Sequence, residues 1–186
     1  MPLLKNLELS TAMTPPLPPN LLVIAASNGE NLKLAERFAV QARVQGLSAE
    51  VLDLTAVELP LFTPRACSAG TPPALASLHQ KLVAATHWVI CAPEYNGSIP
   101  PVLTSAIAWL SVQGDDFRAL FNGRPVAIAT HSGGGHTLMA ALRLQLAHLG
   151  AHVVGRQLVS NSSHAAKDES IADVIHRLKQ LQPLQP

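Results

Sequence analysis

Apolar positions along this chain fall into short unbroken runs, separated by longer stretches in which they recur at helical spacing. Leu21-Leu22-Val23-Ile24-Ala25-Ala26 is apolar throughout, as a strand covered on both faces of a sheet must be. A tight polar loop, Ser27-Asn28-Gly29-Glu30-Asn31, follows it. Leu34, Ala35, Phe38 and Ala42 then predict a helix over 32–45, stopped by Gly46. Ala49–Leu54 alternates more, which predicts a second strand nearer an edge. Residues 60–73 hold Pro60, Pro64, Gly70, Pro72 and Pro73 and read as a loop long enough to be functional or mobile. A helix over 74–85 leads into a third strand, Thr86-His87-Trp88-Val89-Ile90-Cys91.

The pattern then repeats. The polar segment 92–101 precedes a helix over 102–112 that is opened by Pro100-Pro101, since proline suits a first helical turn. Pro125–Ala129 is a fourth strand and ends in the glycine-rich turn Thr130-His131-Ser132-Gly133-Gly134-Gly135-His136. Leu138, Leu142, Leu146 and Leu149 mark the next helix, stopped by Gly150. Ala151–Val154 begins a fifth strand, and Ile171, Val174, Ile175, Leu178 and Leu181 line a closing helix over 168–181. Five alternations of strand and helix imply a parallel sheet with helices on both faces, a three-layer doubly wound α/β fold. The expected strand order is 2-1-3-4-5. Residues 20–186 form one domain without internal repeat. Residues 1–19, with Pro2, Pro15, Pro16, Pro18 and Pro19, read as an extended or disordered tail available to a partner subunit.

Composition narrows the function. A net charge of +1 without a basic block argues against nucleic acid as partner. No apolar run approaches the length of a membrane span, and Glu8 interrupts any signal-peptide core. Cys67 and Cys91 form no disulfide or metal framework, and none of the 8 histidines pairs at a metal spacing. Metal is therefore not expected, and the compartment that fits is the cytoplasm.

The chemistry-bearing residues sit in three loops at the carboxyl ends of strands, where open α/β sheets bind ligands. Ser27–Asn31 opens a helix, whose free N–H groups favour an anion such as phosphate; the plain alternative is N-capping by Ser27 or Asn28. In Pro93-Glu94-Tyr95-Asn96-Gly97-Ser98, Tyr95 offers an aromatic face and its neighbours offer donors and acceptors, a set suited to a flat heteroaromatic ring. Asn96-Gly97 is equally an ordinary turn dipeptide. His131 and His136 flank the third loop, where they reach substrate or simply cap. Trp109 and Leu110 read as core, or as part of a subunit contact on a helix apolar over more than one face.

Ala-Pro-Glu-Tyr-Asn-Gly-Ser-Ile-Pro-Pro-Val-Leu at 92–103, followed by Ala106-Ile107-Ala108-Trp109-Leu110, resembles the signature of NAD(P)H-dependent FMN reductases, which are flavodoxin-like quinone and FMN reductases. The resemblance runs from about Leu21 to about Val154. It implies that Ser27, Asn28, Gly29, Glu30, Asn31 and Leu32 hold the FMN phosphate. Pro93, Glu94, Tyr95, Asn96, Gly97 and Ser98 would line the isoalloxazine ring, with His131, Ser132, Gly133, Gly134 and Gly135 approaching from the other side. It further implies NAD(P)H as a transient electron donor, a small-molecule acceptor such as a quinone or free flavin, and a homodimer or homotetramer. No side chain is assigned as catalytic acid or base, because the cofactor carries the hydride chemistry. Asn28-Gly29-Glu30-Asn31 is also similar to the first turn of flavodoxins, so the alternative is an electron carrier without NAD(P)H turnover.

Overall fold

The computed structural model describes residues 20–114 and 117–183; the proline-rich segment expected as a tail lies outside the described residues. Strand β1 (Leu21–Ala25) pairs with β2 (Ala49–Asp53) on one side and β3 (His87–Cys91) on the other. β3 pairs in turn with β4 (Pro125–His131), and all these pairings are parallel. Beside β4 the predicted fifth strand is two short pieces, β5 (His152–Val153) and β6 (Leu158–Ser160), each parallel to β4. The path β2-β1-β3-β4-β5 is the expected order. Where the chain leaves the ladder, the Arg143 guanidinium donates to Val154 O (2.9 Å) and Gln157 Oε1 (3.2 Å), supplying partners the sheet does not.

Six α-helices accompany the sheet among the described residues: α1 (Glu30–Val44), α2 (Pro64–Ser68), α3 (Pro73–Ala84), α4 (Pro101–Leu110), α5 (His136–His148) and α6 (Asp168–Lys179). Alternation along the strands sorts their side chains into two cores. Leu22, Ile24, Trp88, Ile90, Val126 and Ile128 pack under α3, α4 and α5. Leu21, Val23, Ala25, Val89, Cys91, Ala127 and Ala129 pack under α1 and α6. The second set is small at its centre, which lets α1 lie across β1 to β4. Cys91 belongs to that layer, and burial pushes its thiol pKa up, so it stays a neutral core residue. β2 is only half covered, as its alternation predicts for an edge.

The segment over 60–73 is not the single long loop expected from its prolines. Thr63 Oγ1 accepts from the Ala66 N–H (3.0 Å) and starts the short helix α2, with Pro64 in its first turn. Trp109 pins this segment down: its Nε1–H donates to Pro60 O (2.7 Å), and its ring meets Phe62 edge-on at 5.2 Å. Trp109 and Leu110 are both buried within the chain, which settles them as core.

Candidate functional site

The three loops emerge side by side at the carboxyl edge, after β1, β3 and β4. α1 begins at Glu30, two residues before the sequence boundary, with Gly29 as its N-cap and no side-chain cap. Capping by Ser27 or Asn28 is thereby corrected. The N–H groups of Leu32 and Lys33 turn back to Gly29 O. Among the described residues, those of Ser27, Asn28, Gly29, Glu30 and Asn31 have no acceptor in the protein. Five adjacent unpaired donors at the positive end of a helix are a start suited to an anion. The Glu30 carboxylate beside it is paired with Lys33 at 2.7 Å, which offsets its charge while holding the carboxyl below its usual pKa. The i, i+3 spacing of Glu30 and Lys33 was the signal for this pair, and sequence reasoning passed over it.

The Asn31 side chain is spent inside the protein. It is buried, and its amide is spent on the backbone of His131: Nδ2 donates to His131 O (3.1 Å), and Oδ1 accepts the His131 N–H (2.9 Å). Its main-chain N–H has no acceptor among the described residues. Leu32 packs against the α1 and α6 core layer. The first loop is thus strapped to the end of β4, two strands away.

The second loop is a two-residue turn. Tyr95 and Ser98 exchange backbone hydrogen bonds (3.1 and 3.0 Å) around Asn96 and Gly97, which both have positive φ (51° and 72°). Asn-Gly is the dipeptide such a turn demands. The turn leaves Tyr95 52% exposed, so its ring lies open at the surface instead of filling a core. The Tyr95 and Ser98 N–H groups are consumed inside the turn; among the described residues, those of Asn96 and Gly97 have no protein acceptor. Pro93 is buried at the base.

Glu94 ties this turn to the third loop. Its N–H donates to Ser132 Oγ (2.7 Å), and its Oε2 accepts from the N–H of Gly135 and of Leu138, each at 3.0 Å. A side chain from the second loop therefore caps α5. The three glycines in the third loop are not equivalent. A Cβ on Gly134 would sit 2.7 Å from Glu94 Oε1, whereas one on Gly133 would meet nothing within 4 Å. Gly135 has φ +102°, and a Cβ there would lie 2.7 Å from Thr130 Cγ2. His131 is half-buried with Nδ1 3.4 Å from Ser160 Oγ, and His136 is exposed.

Two further residues complete the lattice: Thr130, which the sequence offered only as the start of the third loop, and Ser160, to which it gave no role. Thr130 Oγ1 donates to Ala92 O (2.6 Å) and Ser160 Oγ to Thr130 O (2.9 Å), both fully buried, while the Ser132 N–H donates to Ser160 O (2.9 Å). Ser160 closes β6, the piece of strand that went unpredicted. A lone polar residue ending the apolar pair Leu158-Val159 was its signal.

A doubly wound parallel sheet with an open helix start beside an exposed aromatic turn defines a protein of the flavodoxin-like α/β class. Comparison with known proteins agrees and goes further. Residues 19–165 match the NADPH-dependent FMN reductase family. The chain is 31% identical over 149 residues to an NAD(P)H-dependent FMN reductase of Pseudomonas aeruginosa, covering 75% of this chain and 78% of that one. Among solved structures it resembles the flavoenzyme NAD(P)H:acceptor oxidoreductase FerB of Paracoccus denitrificans, with a TM-score of 0.70 at 18% identity over 88% of this chain and 99% of FerB. A flavodoxin from the domain Archaea shares the fold with a TM-score of 0.58 at 11% identity, over 87% of this chain and 94% of that one.

The chain belongs to the NADPH-dependent FMN reductase family. It is a flavin-dependent oxidoreductase that uses FMN, with NAD(P)H as electron donor. Among the described residues no helix is long and apolar enough to cross a membrane.

Proposed function

We propose that the three loops hold FMN in a site from which electrons of NAD(P)H pass to a small diffusible acceptor, a quinone or a free flavin. The observation that carries this reading is the run of five open N–H groups at Ser27–Asn31 beside the exposed Tyr95 turn. The donors suit the phosphate of FMN; the Tyr95 face and the Asn96 and Gly97 N–H groups suit a flat ring with acceptor edges. Ser132 Oγ already accepts from Glu94, so its O–H remains to donate to the ring from the third loop. When bound, FMN supplies the hydride acceptance and release between donor and acceptor.

The residues do the rest by position. Asn31, Glu94, Thr130 and Ser160 lock the loops, so few rotamers need to be fixed when the ligand arrives. In this reading His131 and the three glycines wall the third side of the site. The free Cys67 and Cys91 suit the reducing cytoplasm. Leu61 and Val112, exposed at the two ends of the α4 region, support a subunit contact in a homodimer or homotetramer.

The test is an anaerobic titration of the FMN-loaded protein with NADPH and then NADH, followed by addition of a benzoquinone or of free FMN. Loss of the oxidised-flavin band and its return on adding an acceptor are expected. A bound flavin that neither nucleotide reduces would favour the electron carrier, for which the compact first loop speaks.

A further inference from the structure

Two helices, α1 and α5, begin at the loops that the reading above gives to FMN, and a residue from neither helix decides which of them stays open. Glu94 Oε2 accepts both the Gly135 and the Leu138 N–H (3.0 Å each), while its own N–H is fixed to Ser132 Oγ (2.7 Å). The other carboxylate oxygen fills the space above Gly134, where a Cβ would come within 2.7 Å. The side chain is thus held from both ends, in a slot that a glycine makes possible. A carboxylate at a helix N-terminus offsets the positive end of the helix dipole. α1 has no such carboxylate over its donors, since Glu30 is turned to Lys33.

We propose that Glu94 is a positioning residue: by capping α5 it leaves α1 as the anion-binding helix end, and it sets the Tyr95 turn against the glycine loop with a negative charge beside the flavin. Its slot makes Glu94 a brace for the site and not a ligand of the ring. The proposal rests on the FMN reading above. The charge matters too, because reduced FMN is more anionic than oxidised FMN and is disfavoured by a neighbouring carboxylate.

Because one oxygen accepts both N–H groups, Glu94→Gln can keep both hydrogen bonds and lose only the charge, whereas Glu94→Ala loses both. Apo-protein is titrated with oxidised FMN and with dithionite-reduced FMN. Glu94→Ala should weaken oxidised FMN by about tenfold or more, the scale of losing hydrogen bonds to a charged group. Glu94→Gln should restore that binding and shift the preference toward reduced FMN by about threefold, the scale of one water-screened like-charge contact. Glu94→Ala binding FMN as the wild type does, Glu94→Gln failing to restore binding, or an unshifted preference would each overturn the proposal.

A second arm needs no flavin. Gly134→Ala should lower the melting temperature in the wild type and add little in the Glu94→Ala background, because both changes break one contact. Additive losses would overturn the brace. Wild-type protein that binds no FMN while keeping this coupling would remove the flavin assignment and leave the brace standing.

Discussion

The starts of α1 and α5 lie on the same edge of the same sheet, each entered from a polar loop after a parallel strand, yet they are finished in opposite ways. α1 is capped by a glycine without side-chain help and leaves five N–H groups open. α5 also starts from a glycine, in the left-handed region, but receives a carboxylate from another loop. A helix start that is to take a ligand must go unsatisfied in the free protein, at a cost in stability. One that only supports the site is completed internally. The difference is written in neither loop alone; it depends on Glu94, 41 residues before Gly135.

The contrast can be broken most severely at Gly135. Gly135→Ala forces a side chain into positive φ and against Thr130 Cγ2, so a loss of about 2–4 kcal/mol is expected in denaturant unfolding. Unchanged stability would mean that α5 can start another way. Asn31→Ala comes next. It strips the partners from both the N–H and the C=O of His131, which should cost about 2 kcal/mol. It should also weaken FMN, because the first loop is no longer strapped to β4; retention of full affinity would show that the strap serves stability alone. The smallest effect belongs to Gly133→Ala, whose Cβ meets nothing within 4 Å. Stability within about 0.5 kcal/mol of the wild type is expected, and a large loss would mean that the three glycines are less distinct than their surroundings indicate.

Much of this was legible in the sequence because it rests on local pattern. The fully apolar β1, the helical stripes and the glycine stops follow from burial on two faces and from backbone sterics, and the strand order came out as expected. Asn96-Gly97 announced a turn, and the structure gives it φ values that only such residues take readily. What stayed hidden depends on pairs distant in sequence. The use of Asn31 is decided by His131, 100 residues away, and the fate of Gly134 by Glu94. Where the last strand splits, Arg143 serves the freed Val154 carbonyl, although on its helix it reads as one more solvated charge. The helix α2 was masked by its own prolines, although Thr63-Pro64 is a good start signal.

The small side chains under α1 carry one more consequence. Ala25, Cys91, Ala127 and Ala129 set how deeply that helix sinks onto the sheet, and hence where its first turn stands relative to the Tyr95 turn on the neighbouring strand. They work as a spacer gauge. A methyl group added at any of them would lift α1 by a fraction of an ångström and move its first turn with it, though all four are fully buried. Variation at these positions is therefore a route by which evolution, or a designer, could retune cofactor retention from inside the core, leaving every loop residue in place.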